Sequence, residues 1–298
     1  MSSARFEGVD DVARRLSEVG YLPDTAIATV VHLADRLAKP VLVEGPAGVG
    51  KTELAKAVAA ASGAELVRLQ CYEGLDEAKA LYEWDYRKQL LRIQHAAAAS
   101  DASDWEEVHD DLFGEAYLLE RPLLRALRAE VPTVLLIDEI DKVDFEFEAL
   151  LLELLSDAQV TIPELGTLKG TRAPFVVLTS NSTRELSEAL KRRCLYLALD
   201  YPDADRERDI VRSRVPGVSE ALAEQVVRIV RSLRRLDLRK APSVSETLDW
   251  VRSLVELGFD TVDAELATAT LSVLLKHRQD LERATAHLLR VSDDPTDG

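Results

Sequence analysis

The stretch "GPAGVGKTELAK", residues 45–56, decides the fold. It fits the pattern G-x-x-x-x-G-K-[ST] through Gly45, Pro46, Ala47, Gly48, Val49, Gly50, Lys51 and Thr52, with Glu53 next. Glycines let a backbone turn so that its N–H groups point inward at phosphate oxygens. A helix opening where the loop ends adds its N-terminal dipole. In such a loop Lys51 reaches the β- and γ-phosphates of ATP, and the Thr52 hydroxyl binds Mg2+. The apolar run "PVLVEG" (40–45) precedes the loop and the helical pattern "KTELAKAVAAAS" follows it. That strand–loop–helix setting is the one the motif requires.

Further apolar runs extend the series: "ELVRLQC" (65–71), "TVLLIDE" (133–139), "PFVVLTSN" (174–181) and "RCLYLALD" (193–200). They are β-branched or Leu-rich without clean alternation, as expected of strands buried on both faces of a parallel sheet. Helical patterns separate them, which argues a three-layer α/β core over 1–201, with a helical segment 1–39 at its start. After Pro202 only helical patterns remain. "VSEALAEQVVRIVRSLRRL" (218–236), "SVSETLDWVRSLVEL" (243–257) and "DAELATATLSVLLKH" (263–277) predict a small all-α domain over 202–290. Ser243 and Glu246 have capping-box spacing. The acidic tail 291–298 is expected to be disordered.

Three further features bear on chemistry. Asp138 and Glu139 follow five apolar residues, and two carboxylates at the end of a buried strand need a cation or hydrogen bonds. Asp138 suits the Mg2+ sphere, and Glu139 suits a base acting on water. An Asp–Glu turn capping the next helix is the plainer alternative. Asn181 ends another buried strand, where its amide can hold a water molecule or simply serve the turn. Lys191, Arg192 and Arg193 form a basic cluster before the last strand.

Across 298 residues, 37 Lys and Arg face 53 Asp and Glu, a net charge of −16. Non-specific nucleic-acid binding over the whole surface is therefore not expected. Cys71 and Cys194 lack metal-ligand spacing and read as reduced thiols. No apolar run approaches the ~18 residues that span a bilayer. The N-terminus lacks the apolar core of a signal peptide. A cytoplasmic protein is expected.

These motifs together resemble the AAA+ ATPases, and within them the MoxR family, over about 20–290. The Walker A run 45–52, the Walker B run "LLIDEID" (135–141), the sensor-1 asparagine of "LTSN" (178–181) and the finger region "ELSEALKRRCLY" (185–196) carry the resemblance. "VTIPELGTLKG" (160–170) resembles the family's β-hairpin. "CYEGLDEAKALYEWDYRKQLLRIQ" (71–94) and "LLERPLLRAL" (118–127) resemble the CoxD-like branch, which matures carbon monoxide dehydrogenase. The resemblance implies a P-loop AAA+ core whose five-stranded sheet has the order 5-1-4-3-2, followed by a helical lid. It also implies a ring of usually six subunits with nucleotide at their interface. Arg193 takes the place of the arginine that reaches a neighbour's γ-phosphate, with Arg192 as the near alternative. A partner with a von Willebrand factor A domain and a client metalloenzyme are implied too. The lid segment "KAPSVSETLDW" lacks the usual sensor-2 arginine; Arg239 and Lys240 lie just before it.

Tyr72, Tyr82, Trp84 and Tyr86 cluster between the second strand and Walker B. If 75–94 is one helix, Ala78, Tyr82, Tyr86 and Leu90 share a row and Trp84 faces elsewhere, open to a client. Ile162, Pro163 and Leu165 of the hairpin are second candidates for that contact. The complete set Lys51, Thr52, Asp138, Glu139, Asn181 and Arg193 favours ATP hydrolysis coupled to client remodelling. A nucleotide-gated scaffold with incidental turnover is the competing reading, and a DNA-acting motor is a third that the charge disfavours.

Overall fold

The computed structural model describes residues 4–98, 112–170 and 172–293. Its backbone divides into two compact units. The first takes in the described residues up to Val19, then 23–44 and 52–198; the second takes in 20–22, 45–51 and the described residues from Leu199 onward.

A five-stranded parallel sheet forms the first unit. From edge to edge its strands are Glu65–Gln70, Thr133–Asp138, Phe175–Ser180, Val41–Glu44 and Leu195–Ala198. Counted along the chain this is 2-3-4-1-5, which is the expected 5-1-4-3-2 read from the other edge. All six residues of Thr133–Asp138 and all six of Phe175–Ser180 are buried. Consecutive strand residues point to opposite faces, so both faces are covered. Register aligns Gln70 with Asp138, and Glu44 with Ser180. Polar residues therefore collect at the C-terminal strand ends, where open α/β sheets bind ligands.

The N-terminal segment is two helices, Val9–Glu18 and Thr25–Leu37, rather than one continuous stretch. Gly20 at φ +79 lies in the break, and Asp24 caps the second helix through the Ile27 amide.

Between the second and third sheet strands the expectation of one helix over 75–94 is overturned. Two aspartates restart the chain. Asp76 caps the short helix Glu77–Ala80, and Asp85 accepts from the Lys88 amide at 3.0 Å, opening the helix Tyr86–Ala98. Between them Tyr82–Trp84 is a strand paired antiparallel with Leu118–Glu120. Trp84 is only 6% exposed, packed edge-on against Tyr82 and Phe113. The outward side chains are Tyr86, Leu90 and Leu91, each more than half exposed. The hairpin Gln159–Ile162 with Gly166–Lys169 forms as expected, but Ile162 is fully buried and Leu165 half-buried, while Pro163 and Glu164 are exposed at its tip.

The second unit contains five helices: Ala204–Arg214, Glu220–Arg234, Val244–Glu256, Ala264–Leu274 and Arg278–Asp293. Asp203, Ser219, Ser243 and Asp263 cap the first four through side-chain oxygens, and the Ser243–Glu246 capping box is complete. Their apolar faces share one core around Trp250, whose indole N–H donates to the Thr270 hydroxyl at 2.8 Å. Buried Glu207 accepts two 2.7 Å hydrogen bonds from Arg234. The last helix runs to Asp293, into the segment expected as a tail; 294–298 lie outside the described residues.

Candidate functional site

The loop 45–51 groups with the helical unit rather than with the sheet that precedes it. Close packing explains this. A Cβ on Gly45, at φ +154, would stand 1.9 Å from the Leu199 carbonyl oxygen. A Cβ on Gly48, at φ +74, would stand 2.4 Å from Ser243 Oγ. Only glycine fits either position. The Ser245 amide donates to the Gly48 carbonyl at 3.3 Å, so the start of the helix Val244–Glu256 rests on the loop.

Within the loop, buried Lys51 donates from Nζ to the carbonyls of Gly45 and Pro46 at 2.6 and 2.7 Å. Among the described residues, the amides of Ala47, Gly48, Val49 and Gly50 donate to no group of the chain. A loop with uncommitted N–H donors, a lysine at its end and no room for a side chain at Gly45 or Gly48 fits a chain of phosphates. Glu53 turns away into an ion pair with Lys56 at 2.7 Å.

In the sheet unit the carboxylates form one hydrogen-bonded group. Asp138 Oδ1 accepts from the hydroxyls of Thr52 (3.0 Å) and Thr179 (2.6 Å). Asp138 Oδ2 accepts from Arg68 Nη2 at 2.5 Å. The Glu139 amide donates to Thr179 Oγ1 at 2.9 Å. Glu139 Oε2 accepts from Gln70 Nε2 at 2.8 Å and Lys142 Nζ at 2.6 Å. Glu139 has φ +60 and ψ +49, the left-handed region that non-glycine residues avoid. Glu139 stands at the N-cap position of the short 3-10 turn Ile140–Lys142 without a side-chain cap bond, and it is Asp144 whose side chain caps the following helix Phe145–Asp157.

Burial and the charges of Asp138, Glu139 and Asp141 push the Cys71 thiol up to about 12, so it stays protonated. Asp141 is buried beside this group. Burial opposes its ionisation, yet hydrogen bonds from the Thr183 hydroxyl and amide and from the Asn181 amide outweigh it and hold its carboxyl below the ordinary value. Asn181 itself is half-buried, directly after the strand Phe175–Ser180.

The basic cluster divides. Arg193 donates from Nε to Ser156 Oγ at 2.5 Å and from Nη1 to the Ala189 carbonyl at 3.2 Å. Arg192 is exposed, and its side chain makes no hydrogen bond or ion pair among the described residues. Lys240 pairs with Glu246 at 2.9 Å, and the amides of Arg239 and Lys240 donate to Asp280. It is Ser243 and Ser245 that meet the loop.

Sequence reading missed Arg68, Gln70, Lys142 and Thr179. A signal existed for two of them: Arg68 and Gln70 are polar at a spacing of two, one face of an otherwise apolar strand.

A glycine-rich phosphate loop, a helix opening from it and two carboxylates ending a parallel strand define a nucleotide-binding α/β protein of the phosphate-loop class. Residues 40–194, more than half of the chain, match the family AAA domain (dynein-related subfamily), and the chain belongs to that AAA+ ATPase family. It is 26% identical over 228 residues to the uncharacterized protein SH1500 of Staphylococcus haemolyticus, covering 74% of this chain and 78% of that one. An uncharacterized protein of Staphylococcus aureus strain USA300 is 24% identical over 227 residues, covering 74% and 77%. Among solved structures, a mutant RuvB of Thermotoga maritima is 20% identical, covers 90% of this chain and 71% of its own, and has a TM-score of 0.48. No helix among the described residues is long and apolar enough to cross a membrane.

Proposed function

We propose that this chain is a Mg2+-dependent ATPase of the MoxR type that remodels a client protein as a ring of its own copies. The observation carrying this reading is the hydrogen-bonded group of Thr52, Asp138, Thr179 and Glu139. Lys51 and Thr52 are consecutive, so the phosphate-binding ammonium and the metal-binding hydroxyl begin the same helix.

On this reading the backbone N–H groups of 47–53 and the Lys51 ammonium would hold the phosphates, and Thr52 and Asp138 would hold Mg2+. A cation held there would supply charge neutralisation for the phosphates. Thr179 links the two residues: its hydroxyl donates to the Asp138 carboxylate and its oxygen accepts from the Glu139 backbone amide. Glu139 takes the proton of the attacking water, and Asn181 orients that water.

Lys142 and Gln70 restrain Glu139, and Arg68 holds Asp138. Until these contacts are exchanged, turnover is slow. This specific arrangement favours a second reading, a nucleotide-gated scaffold with weak turnover.

Arg192 is assigned as the arginine offered to a neighbouring copy, because Arg193 is engaged with Ser156 in its own chain. Arg193 then positions the segment. The likeness to the CoxD-like branch supports a client metalloenzyme and a partner with a von Willebrand factor A domain, in the cytoplasm. Tyr86, Leu90 and Leu91 form one group of exposed apolar side chains open to such a contact.

Glu139→Gln is expected to bind ATP and to lose at least about a hundredfold in turnover. Hydrolysis at the parent rate would remove Glu139 from the role of base. Arg192→Ala is expected to lose about a thousandfold with ATP binding intact, and Arg193→Ala much less. Absence of turnover at every protein concentration, with ATP still bound, selects the scaffold. Salt-sensitive DNA binding would instead revive a DNA-acting motor.

A further inference from the structure

The helical unit carries a cleft unlike the rest of this acidic chain. Helices Ala204–Arg214 and Glu220–Arg234 border a cavity of about 420 Å³, within the range of small-ligand sites. Arg208, Arg228, Arg231 and Arg235 line it, against two carboxylates, Asp205 and Glu224. Residues 228, 231 and 235 follow the three-and-four spacing that places them on one helix face. The surplus of positive charge is local: residues 1–198 hold 22 basic and 34 acidic side chains, and 199–298 hold 15 and 19.

These guanidinium groups are poorly committed. Among the described residues, Arg228 and Arg235 make no side-chain hydrogen bond or ion pair. Glu224 lies one turn before Arg228 without pairing to it. Arg208 reaches Asp205 at 3.0 Å, but its Nε is buried and has no partner. Arg231 donates only to the Pro202 carbonyl, at 3.2 Å. Arg234, next in sequence to Arg235, shows the contrast: both its terminal nitrogens are bound by buried Glu207. Arg234 is structural, whereas its four neighbours leave N–H donors directed at the cleft or at solvent.

Guanidinium forks match phosphate oxygens two at a time. Four of them around one cavity repel one another unless an anion enters. The limited volume of the cleft favours a compact anion over a long polymer, and four guanidinium groups against two carboxylates leave a net positive lining. We propose that this cleft binds a small molecule bearing a polyphosphate chain, at a site separate from the phosphate loop.

The test is calorimetric titration of the full chain with inorganic triphosphate. Parent protein, Lys51→Ala, and the double variant Arg228→Ser with Arg235→Ser are compared. Both arginines are exposed, and circular dichroism checks that the double variant folds. Two binding events are expected in the parent. Lys51→Ala should weaken one, and the double variant should weaken the other by tenfold or more while ATP binding at the loop persists. The proposal is overturned if the double variant titrates like the parent, or if Lys51→Ala removes all binding. It is also overturned if the double variant loses binding to a DNA duplex while triphosphate binding is unchanged.

Discussion

The contact of Ser243 and Ser245 with Gly48 makes a testable mechanical link between loop and helix. Gly48→Ala inserts a methyl group 2.4 Å from Ser243 Oγ and 2.5 Å from its Cβ, at φ +74. The left-handed backbone costs alanine about 1–2 kcal/mol. The overlap adds about 1–3 kcal/mol, as overpacking does. Together these give roughly 2–5 kcal/mol, or a fall in melting temperature of about 5–15 °C. Ser243→Gly removes both clashing atoms, and glycine replaces serine at an N-cap with a loss of only a few tenths of a kcal/mol. The double variant should therefore recover the overlap share, a coupling of about 1–3 kcal/mol, and keep the backbone share. Urea melts of the four proteins, followed by circular dichroism, measure it. A coupling below about 0.5 kcal/mol would mean that the helix does not bear on the loop. ATP binding supplies a second readout: it should fall in Gly48→Ala and partly return in the double variant.

Other perturbations separate the remaining features. Trp84→Ala should destabilise by about 3–5 kcal/mol, whereas Tyr86→Ser, 64% exposed, should change stability little and alter client binding if it alters anything. Equal effects at the two positions would contradict the burial pattern. Asp141 has a lowered folded-state pKa, so its contribution is present above the ordinary carboxylate value of about 3.9 and is lost as pH falls through the folded value. The stability gap between parent and Asp141→Asn should thus be widest near neutrality and narrow below that value. A gap unchanged from neutral pH to about 3 would count against an ionised Asp141.

The strands and the phosphate loop were legible because each rests on local signals, apolar runs and a glycine pattern; the strand order followed from the family resemblance, since no local signal carries it. Asp85 shows how such a signal is overlooked. One aspartate after Trp84 starts a new helix and leaves a three-residue strand behind it, which no periodicity can register over so short a span. Arg193 shows a different kind of limit. Its partner Ser156 is 37 residues away, on another helix, and spacing along the chain carries no trace of that contact. Thr179 is similar, since its link to Asp138 exists only because the two strands are neighbours in the sheet.

Glu139 sits at φ +60, a conformation that stores about 1–3 kcal/mol in a non-glycine residue. Glycine or asparagine would relax it, and removing the carboxylate would also release Lys142 and Gln70. On the proposed reading of Glu139 as the base, stability and turnover therefore pull this one position in opposite directions. Any selection that rewards only soluble, heat-resistant protein, whether a laboratory screen or a sequence-design protocol, will drift toward a better-folded chain that has lost this carboxylate.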